Sequence, residues 1–370
     1  MSTIGVKLPS APSSQYDVMV EPALLGRVPE LLGQHAPAAR YALLSDANVA
    51  PLHGEPLQRR MAAAGLSTEL LVHPAGEASK TRATWGTLTD QLLAAGFGRD
   101  SCVVALGGGV TGDLAGFVAA TFLRGVPVVQ VPTSLLAMVD ASVGGKTAVD
   151  TARGKNLVGA FHPPRLVLID PLLLRTLPVA ELRSGAAELV KHGAIADAAY
   201  LAAVRSAAPQ LLDPAGTDPV RLAELIRTSV AIKADVVGRD PWEQGERASL
   251  NFGHTLGHAL ERVLDYGIPH GAAVAVGMVL AARLGEASGV TQPGTKAALS
   301  DALRAFGLPV TLPHDVAPAA LLAAAAADKK ARAGRLRFVL LERLGRVARD
   351  GSSWTHEIDE SALSDALSAV

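Results

Sequence analysis

Cys102-Val103-Val104-Ala105-Leu106-Gly107-Gly108-Gly109-Val110-Thr111-Gly112-Asp113 decides the fold. An uncharged apolar run passes straight into a glycine-rich turn, the pattern of a buried strand feeding a helix. Gly107, Gly109 and Gly112 have the G-x-G-x-x-G spacing, which lets backbone N–H groups approach a pyrophosphate at a helix N-terminus. Two features depart from the ordinary dinucleotide fingerprint. This is the fourth apolar run of the chain, and no acidic residue follows about 20 positions later to hold a ribose. Taken alone, the motif reads equally as a tight structural turn. Working outward, strands are expected at 17–20, 41–45, 68–72, 126–131 and 166–169, with helix-length segments between many of them. That predicts an α/β domain with a mostly parallel sheet, whose ligands bind at the carboxyl ends of the strands.

The segments after those runs hold the candidates. Ser45-Asp46-Ala47-Asn48 offers a carboxylate for ribose hydroxyls or an ordinary turn. Ala75-Gly76-Glu77-Ala78-Ser79-Lys80 reads as a helix start or a second nucleotide contact, and Pro132-Thr133-Ser134 as hydroxyls for phosphate or a cap. Gly144-Gly145-Lys146-Thr147 resembles the end of a P-loop, but the required first glycine is Asp140, which excludes a Walker motif. Gly154-Lys155-Asn156 supplies a second Gly-Lys pair, and two such lysines suggest an anion site. Only nine of the 34 basic residues are Lys, and several of these stand beside Gly, Asn or Asp. Lysine suits phosphate and shiftable-pKa roles.

From Pro171 the texture changes. Ala/Leu-rich helical patterns are expected at 197–212, 220–237, 255–263 and 272–287, then a last strand at 336–341 and a closing helix at 360–369. Pro163, Pro164, Pro171 and Pro178 mark the transition, so the domains are expected at 1–175 and 176–370. Asn251-Phe252-Gly253-His254-Thr255-Leu256-Gly257-His258 places two His on one helical face. His270 follows, and Glu188 lies on an expected helix with Lys191 and His192. Two His and one Glu form a catalytic zinc set with an open position. Spacing alone leaves open which two His bind, and His192 is a fourth candidate.

Composition narrows the class. The 370 residues exceed one ordinary core. Hydrophobic content of 49% with 19% charged residues is globular. A formal net charge of −1 lacks the basic excess of a nucleic-acid binder. A single cysteine, Cys102, excludes a disulfide framework and a multi-Cys zinc site. The longest uncharged apolar stretch, 271–282, is shorter than the roughly 20 residues of a membrane span. No basic-then-apolar leader opens the sequence, so a cytoplasmic protein is expected.

Together, Gly107 to Asp113, Phe122-Leu123-Arg124-Gly125, Pro132 to Lys146, Gly154 to His162, Ala187 to Lys191 and Asn251 to His258 resemble the 3-dehydroquinate synthases, members of the sugar-phosphate cyclases. The resemblance covers nearly the whole chain and is densest from 105 to 271. It implies a Rossmann-like N-terminal domain followed by a mainly helical metal-binding domain. It implies NAD contacts from Asp46, Asn48, Glu77, Lys80, Gly108, Gly109, Asp113, Thr133, Ser134, Lys155 and the stretch Leu173, Leu174, Arg175, Thr176. Glu188, His254 and His270 would ligate one divalent metal, zinc or cobalt, leaving His258 as a catalytic or positioning residue. Lys146, also bordering the cofactor set, would join Asn156, Lys191, Lys233, Arg247, Asn251 and one or both of Lys329 and Lys330 around an anionic sugar phosphate. Arg124 would reach across a homodimer interface. The implied reaction is a redox-neutral cyclisation of 3-deoxy-D-arabino-heptulosonate 7-phosphate.

The sequence departs from the family's pattern at three places. Ala272 stands where a Glu is common, His192 where Tyr is frequent, and Ser134 where a second Thr is frequent. Sister cyclases making amino-dehydroquinate, 2-deoxy-scyllo-inosose or epi-valiolone share the mechanism. Arg247, Asn251 and the complete Gly-Lys-Asn block favour a carboxylate-bearing substrate. A polyol dehydrogenase would not need so many lysines, and a binding protein with a decayed site would not keep every candidate ligand.

Overall fold

In a computed structural model, which describes residues 15–329 and 336–358, the glycine-rich turn joins the fourth strand of a six-stranded sheet. The strands are β1 (Asp17–Val20), β2 (Arg40–Asp46), β3 (Thr68–His73), β4 (Ser101–Gly107), β5 (Val128–Pro132) and, after two others, β8 (Leu166–Ile169). Their spatial order is β1-β8-β5-β4-β2-β3, and each neighbouring pair is parallel. Every residue of β4 is buried because helices cover both faces. Alternating side chains of β2 and β4 serve the two layers. Leu43, Val104 and Leu106 meet α1 (Val28–His35) and α2 (Glu55–Ala63); Leu44, Val103 and Ala105 meet α3 (Arg82–Ala94) and α4 (Gly109–Thr121). β5 and β2 flank β4 on opposite sides, so the strand order reverses there and opens a crevice at the carboxyl ends.

Between β5 and β8 the two Gly-Lys segments form an antiparallel hairpin, β6 (Lys146–Thr151) and β7 (Gly154–Phe161), where no strand was expected. Its pattern hides from a periodicity search. Ala148 and Val149 are buried, whereas Leu157, Val158 and Phe161 on β7 are exposed. Gly159 lies so close to the Thr147 carbonyl that no Cβ fits, and that glycine reads as a loop signal.

The second half is built on α5 (Val179–Ala196), α6 (Ala198–Ser206), α7 (Ala208–Leu212), α8 (Pro219–Arg239), α9 (His254–Val263), α10 (His270–Ala287), α11 (Thr295–Arg304) and α12 (Pro318–Lys329). The expected helix at 197–212 is two helices, since Pro209 opens α7 without a backbone N–H to continue α6. The expected strand at 336–341 is shorter: β9 (Arg337–Phe338) and β10 (Leu341–Arg343), pairing with β12 (His356–Glu357) and β11 (Arg346–Val347) respectively. The expected helix at 360–369 lies outside the described residues, as does Lys330; Lys329 ends α12. The apolar stretch from Gly271 is buried along α10, as a core helix hydrophobic all round should be. Among the described residues no helix is long and apolar enough to cross a membrane. One core joins the halves: Val167 and Ile169 of β8 belong to the same buried cluster as Leu189 and Val190 of α5 and Val274 and Met278 of α10. Burying each such large side chain contributes about 1.5–3 kcal/mol.

Candidate active site

A cleft of about 1250 Å³ opens at the carboxyl ends of the strands and runs to the helical half. Asp46, Asn48, Glu77, Lys80, Gly108, Gly109, Asp113, Thr133, Ser134, Lys146, Lys155, Asn156, Thr176, Lys233, Arg247, His258 and His270 line it. At its sheet end, Gly108 caps α4 in an extended conformation, beside the Ser134 hydroxyl. Asp46 is a turn residue and a cleft residue at once. Its Oδ1 accepts from the N–H groups of Asn48 (2.9 Å) and Val49 (3.1 Å), and its Oδ2 from the Thr111 hydroxyl (3.2 Å).

Lys80 is almost wholly buried and paired. Its Nζ donates to Asp113 (2.6 Å) and to Asn156 Oδ1, and lies 3.7 Å from Glu77. Burial alone would lower the Lys80 pKa, but Asp113 and Glu77 raise it; burial pushes Asp113 up in turn. Asn156, in the left-handed region at φ 57°, therefore joins the dinucleotide end of the cleft through Lys80. In the stretch after β8, Leu173 and Leu174 are buried in the core and Arg175 is exposed away from the cleft. Thr176 faces the cleft, with its Oγ1 2.8 Å from His53 Nε2.

At the other end, Glu188, His254 and His270 come together, one ligand atom from each within 4.8 Å of the others. α5 carries Glu188, and the starts of α9 and α10 carry the two histidines. Glycines allow that approach. A Cβ on Gly271 would strike the Ser184 carbonyl of α5, and one on Gly277 would strike the Gly253 carbonyl. His254 Nε2 and His270 Nε2 lie 3.7 and 3.8 Å from Glu188 Oε1, which is buried and accepts no hydrogen bond. His254 Nδ1 lies 3.2 Å from the Phe252 carbonyl, leaving Nε2 directed at Glu188. Burial, with Lys191 nearby, holds His254 well below its usual pKa, which keeps the ring neutral. An orphaned buried carboxylate oxygen facing two imidazole nitrogens fits a divalent metal. His258 lines the cleft beside this set, and with Glu261 and His270 it makes another group whose ligand atoms are equally close. A third group, Asp140, Glu188 and His192, is equally close. Lys233 and Lys191 already pair its carboxylates, and His192 Nδ1 is 2.7 Å from Ser229 Oγ.

Around this end stand the cations. Lys191, buried, contacts Glu188 Oε2. Lys233 pairs with Asp140 (2.8 Å). Lys146 pairs with Glu243, whose other oxygen accepts from Asn251 Nδ2 at 2.9 Å. Arg247 donates to the carbonyls of Gly144 (3.0 Å) and Pro241 (2.6 Å). Arg124 is exposed at φ 71° just past α4 and does not line this cleft. Asp140, Glu243 and Glu261 escaped the sequence reading. Asp140 had been weighed only as a failed P-loop glycine. Glu261 had a usable signal, an acid on the buried face of α9 one turn beyond His258. Burial works against its ionisation, but the hydrogen bond and charge of His270, with Lys155 and His258, bring its pKa down to about 2.

The 3-dehydroquinate synthase N-terminal family model matches residues 70–184, and the 3-dehydroquinate synthase C-terminal model matches 185–331. A 3-dehydroquinate synthase of Xanthomonas campestris pv. campestris (strain 8004) is 48% identical over 360 residues, covering 95% of each chain. Two solved structures are similar with TM-scores of 0.87. One is the 2-epi-5-epi-valiolone synthase of Streptomyces hygroscopicus subsp. jinggangensis 5008 with NAD+ and Zn2+ bound, 30% identical and covering 98% of this chain and 99% of that one. The other is a 2-deoxy-scyllo-inosose synthase complexed with carbaglucose-6-phosphate, NAD+ and Co2+, 26% identical and covering 95% and 96%.

Proposed function

Because the chain belongs to the 3-dehydroquinate synthase family, we propose that it converts 3-deoxy-D-arabino-heptulosonate 7-phosphate to 3-dehydroquinate and phosphate. The observation that carries this is one cleft that runs from a glycine-lined dinucleotide end, past Lys146, Lys155 and Lys233, to His270, the cleft-lining member of the Glu188–His254–His270 set. The conversion is a phosphorus–oxygen lyase reaction with no net redox change. Hydride leaves a ring carbinol, which acidifies the neighbouring C–H. Phosphate is eliminated, the hydride is restored, and ring opening precedes an intramolecular aldol closure. When bound, NAD supplies the hydride acceptor and donor, and a zinc or cobalt ion polarises the substrate oxygen at the oxidised carbon.

The chain's residues bind and orient. Gly108 and Gly109 leave room for a pyrophosphate at the start of α4, Asp46 offers a carboxylate edge to ribose hydroxyls, and Glu77, Asp113, Thr133, Ser134 and Lys155 line the same end. Lys146, Lys233 and Arg247, which line the cleft, act with Lys191 and Asn251 on the substrate's phosphate, carboxylate and hydroxyls, and His258 faces the cleft as a proton-handling group. Such prearranged charges hold the leaving group in line and stabilise developing negative charge.

In this reading, residues 1–175 form the NAD-binding domain and 176–370 the metal- and substrate-binding domain. The enzyme works as a cytoplasmic homodimer, in which Arg124, lying outside its own cleft, serves the neighbouring copy.

The test offers the purified chain, with NAD and zinc or cobalt, three substrates separately. Phosphate and 3-dehydroquinate from the heptulosonate phosphate alone is the expected result. Phosphate released only from sedoheptulose 7-phosphate or glucose 6-phosphate would move the chain to a sister cyclase.

A further inference from the structure

We propose that Glu261 is a positioning residue of the metal centre, holding His270 with its Nε2 lone pair directed at Glu188. The inference rests on Glu188, His254 and His270 being the metal ligands. Glu261 sits on α9 with its side chain almost wholly buried, and its Oε1 lies 3.4 Å from His270 Nδ1. On the far side of the same ring, His270 Nε2 lies 3.8 Å from Glu188 Oε1. The imidazole is thus threaded between two buried carboxylates. A neutral histidine carries one N–H, and Glu261 accepts it at Nδ1, which leaves Nε2 as the nitrogen with a lone pair.

His254 shows the same arrangement with a weaker partner, since its Nδ1 lies 3.2 Å from the neutral Phe252 carbonyl. Of the two histidines facing Glu188, His270 has an anion behind it, and the other oxygen of that anion lies 4.0 Å from His258 Nε2. Ala272, two residues along α10, offers no acceptor, so the support comes from the neighbouring helix. Glu261 Oε1 is also 3.2 Å from Lys155 Nζ on β7, which anchors the carboxylate from the sheet side. Lys155 further lies over the Tyr266 ring at 4.6 Å. Partners of this kind fix tautomer and ring orientation and raise the basicity of the ligating nitrogen.

The test measures cobalt(II) affinity of the full-length chain by competition with a chromophoric chelator, together with the visible cobalt spectrum. Glu261→Ala is expected to weaken cobalt about 10–100-fold and to alter the spectrum. Glu261→Gln keeps an acceptor without its charge and is expected to lose several-fold. It decides the matter if circular dichroism shows Glu261→Ala unfolded. Lys155→Ala, which removes the ion pair and leaves the histidine contact, is expected to stay within about threefold of the parent. Cobalt affinity within twofold of the parent in the folded Glu261 variants would overturn the proposal. So would an equal loss in Lys155→Ala, which would assign the carboxylate to the ion pair. A parent that binds no cobalt would overturn the metal site itself, and this inference with it.

Discussion

Lys191 stands one helical turn beyond Glu188 on α5, and its ammonium rests against Glu188 Oε2 where both side chains are almost wholly out of water. Burial alone would lower the Lys191 pKa, but Glu188 and Asp140 raise it, so the lysine is held as its ammonium. Two jobs separate on one carboxylate: Oε2 answers the lysine, and Oε1 faces the histidines. Lys191→Met is therefore expected to keep one metal per chain while kcat falls about 100-fold or more through the lost cation. The metal-free variant is expected to lose about 3–5 kcal/mol of stability, because a buried charge is left unpaired. Metal analysis, kinetics and denaturant melts check this. Loss of metal together with activity would show that Lys191 only supports the ligand.

The close contacts of α10 predict a packing effect at the metal centre. Gly277→Ala would force its new methyl into the Gly253 carbonyl, one residue before His254. Overpacking of this kind costs typically 1–3 kcal/mol. Here it should also displace His254, so melting temperature and cobalt affinity are expected to fall together. A variant with parental metal affinity would mean that α9 and α10 can part without disturbing the ligands.

Lys233 predicts a pH response. Burial lowers its pKa below the ordinary lysine value, and Asp140 only partly offsets that. If its ammonium holds substrate, kcat/KM should fall on the alkaline side at a pH below the roughly 10.4 of a free lysine. Lys233→Arg keeps its charge and should move that limb upward. Asp140→Asn removes the offsetting anion and should move it downward. The stability sign is opposite. A folded pKa below the unfolded one means the unfolded chain binds the proton more tightly, so this group's contribution rises with pH across that window. An alkaline limb unmoved in both variants would place the titration elsewhere.

The sheet was legible because β2, β4, β5 and β8 are buried strands whose apolar runs have no competing helical period. The long helices were legible too, with boundaries shifted where histidines open α9 and α10, and with the span 197–212 divided at Pro209. The hairpin was not, because β7 faces solvent and is punctuated by glycines needed for close approach. The candidate metal set was visible as three histidines and a glutamate. Which histidines turn toward Glu188 depends on the crossing of α9 and α10, a tertiary fact. Asp140, Glu243 and Glu261 earn their places from lysines and histidines far away in sequence, Lys233, Lys146 and Lys155 among them. No local pattern announces such pairs. Leu173 and Leu174 show the converse, since their side chains fill the core instead of facing the cleft.

The most direct measurement follows phosphate release and absorbance at the reduced-nicotinamide band in the same cuvette, with heptulosonate phosphate in excess over NAD and saturating metal. The account predicts many phosphates released per NAD, matched one to one by 3-dehydroquinate, with no lasting rise in reduced cofactor. A stoichiometric build-up of reduced cofactor without phosphate would contradict it and make the chain a dehydrogenase.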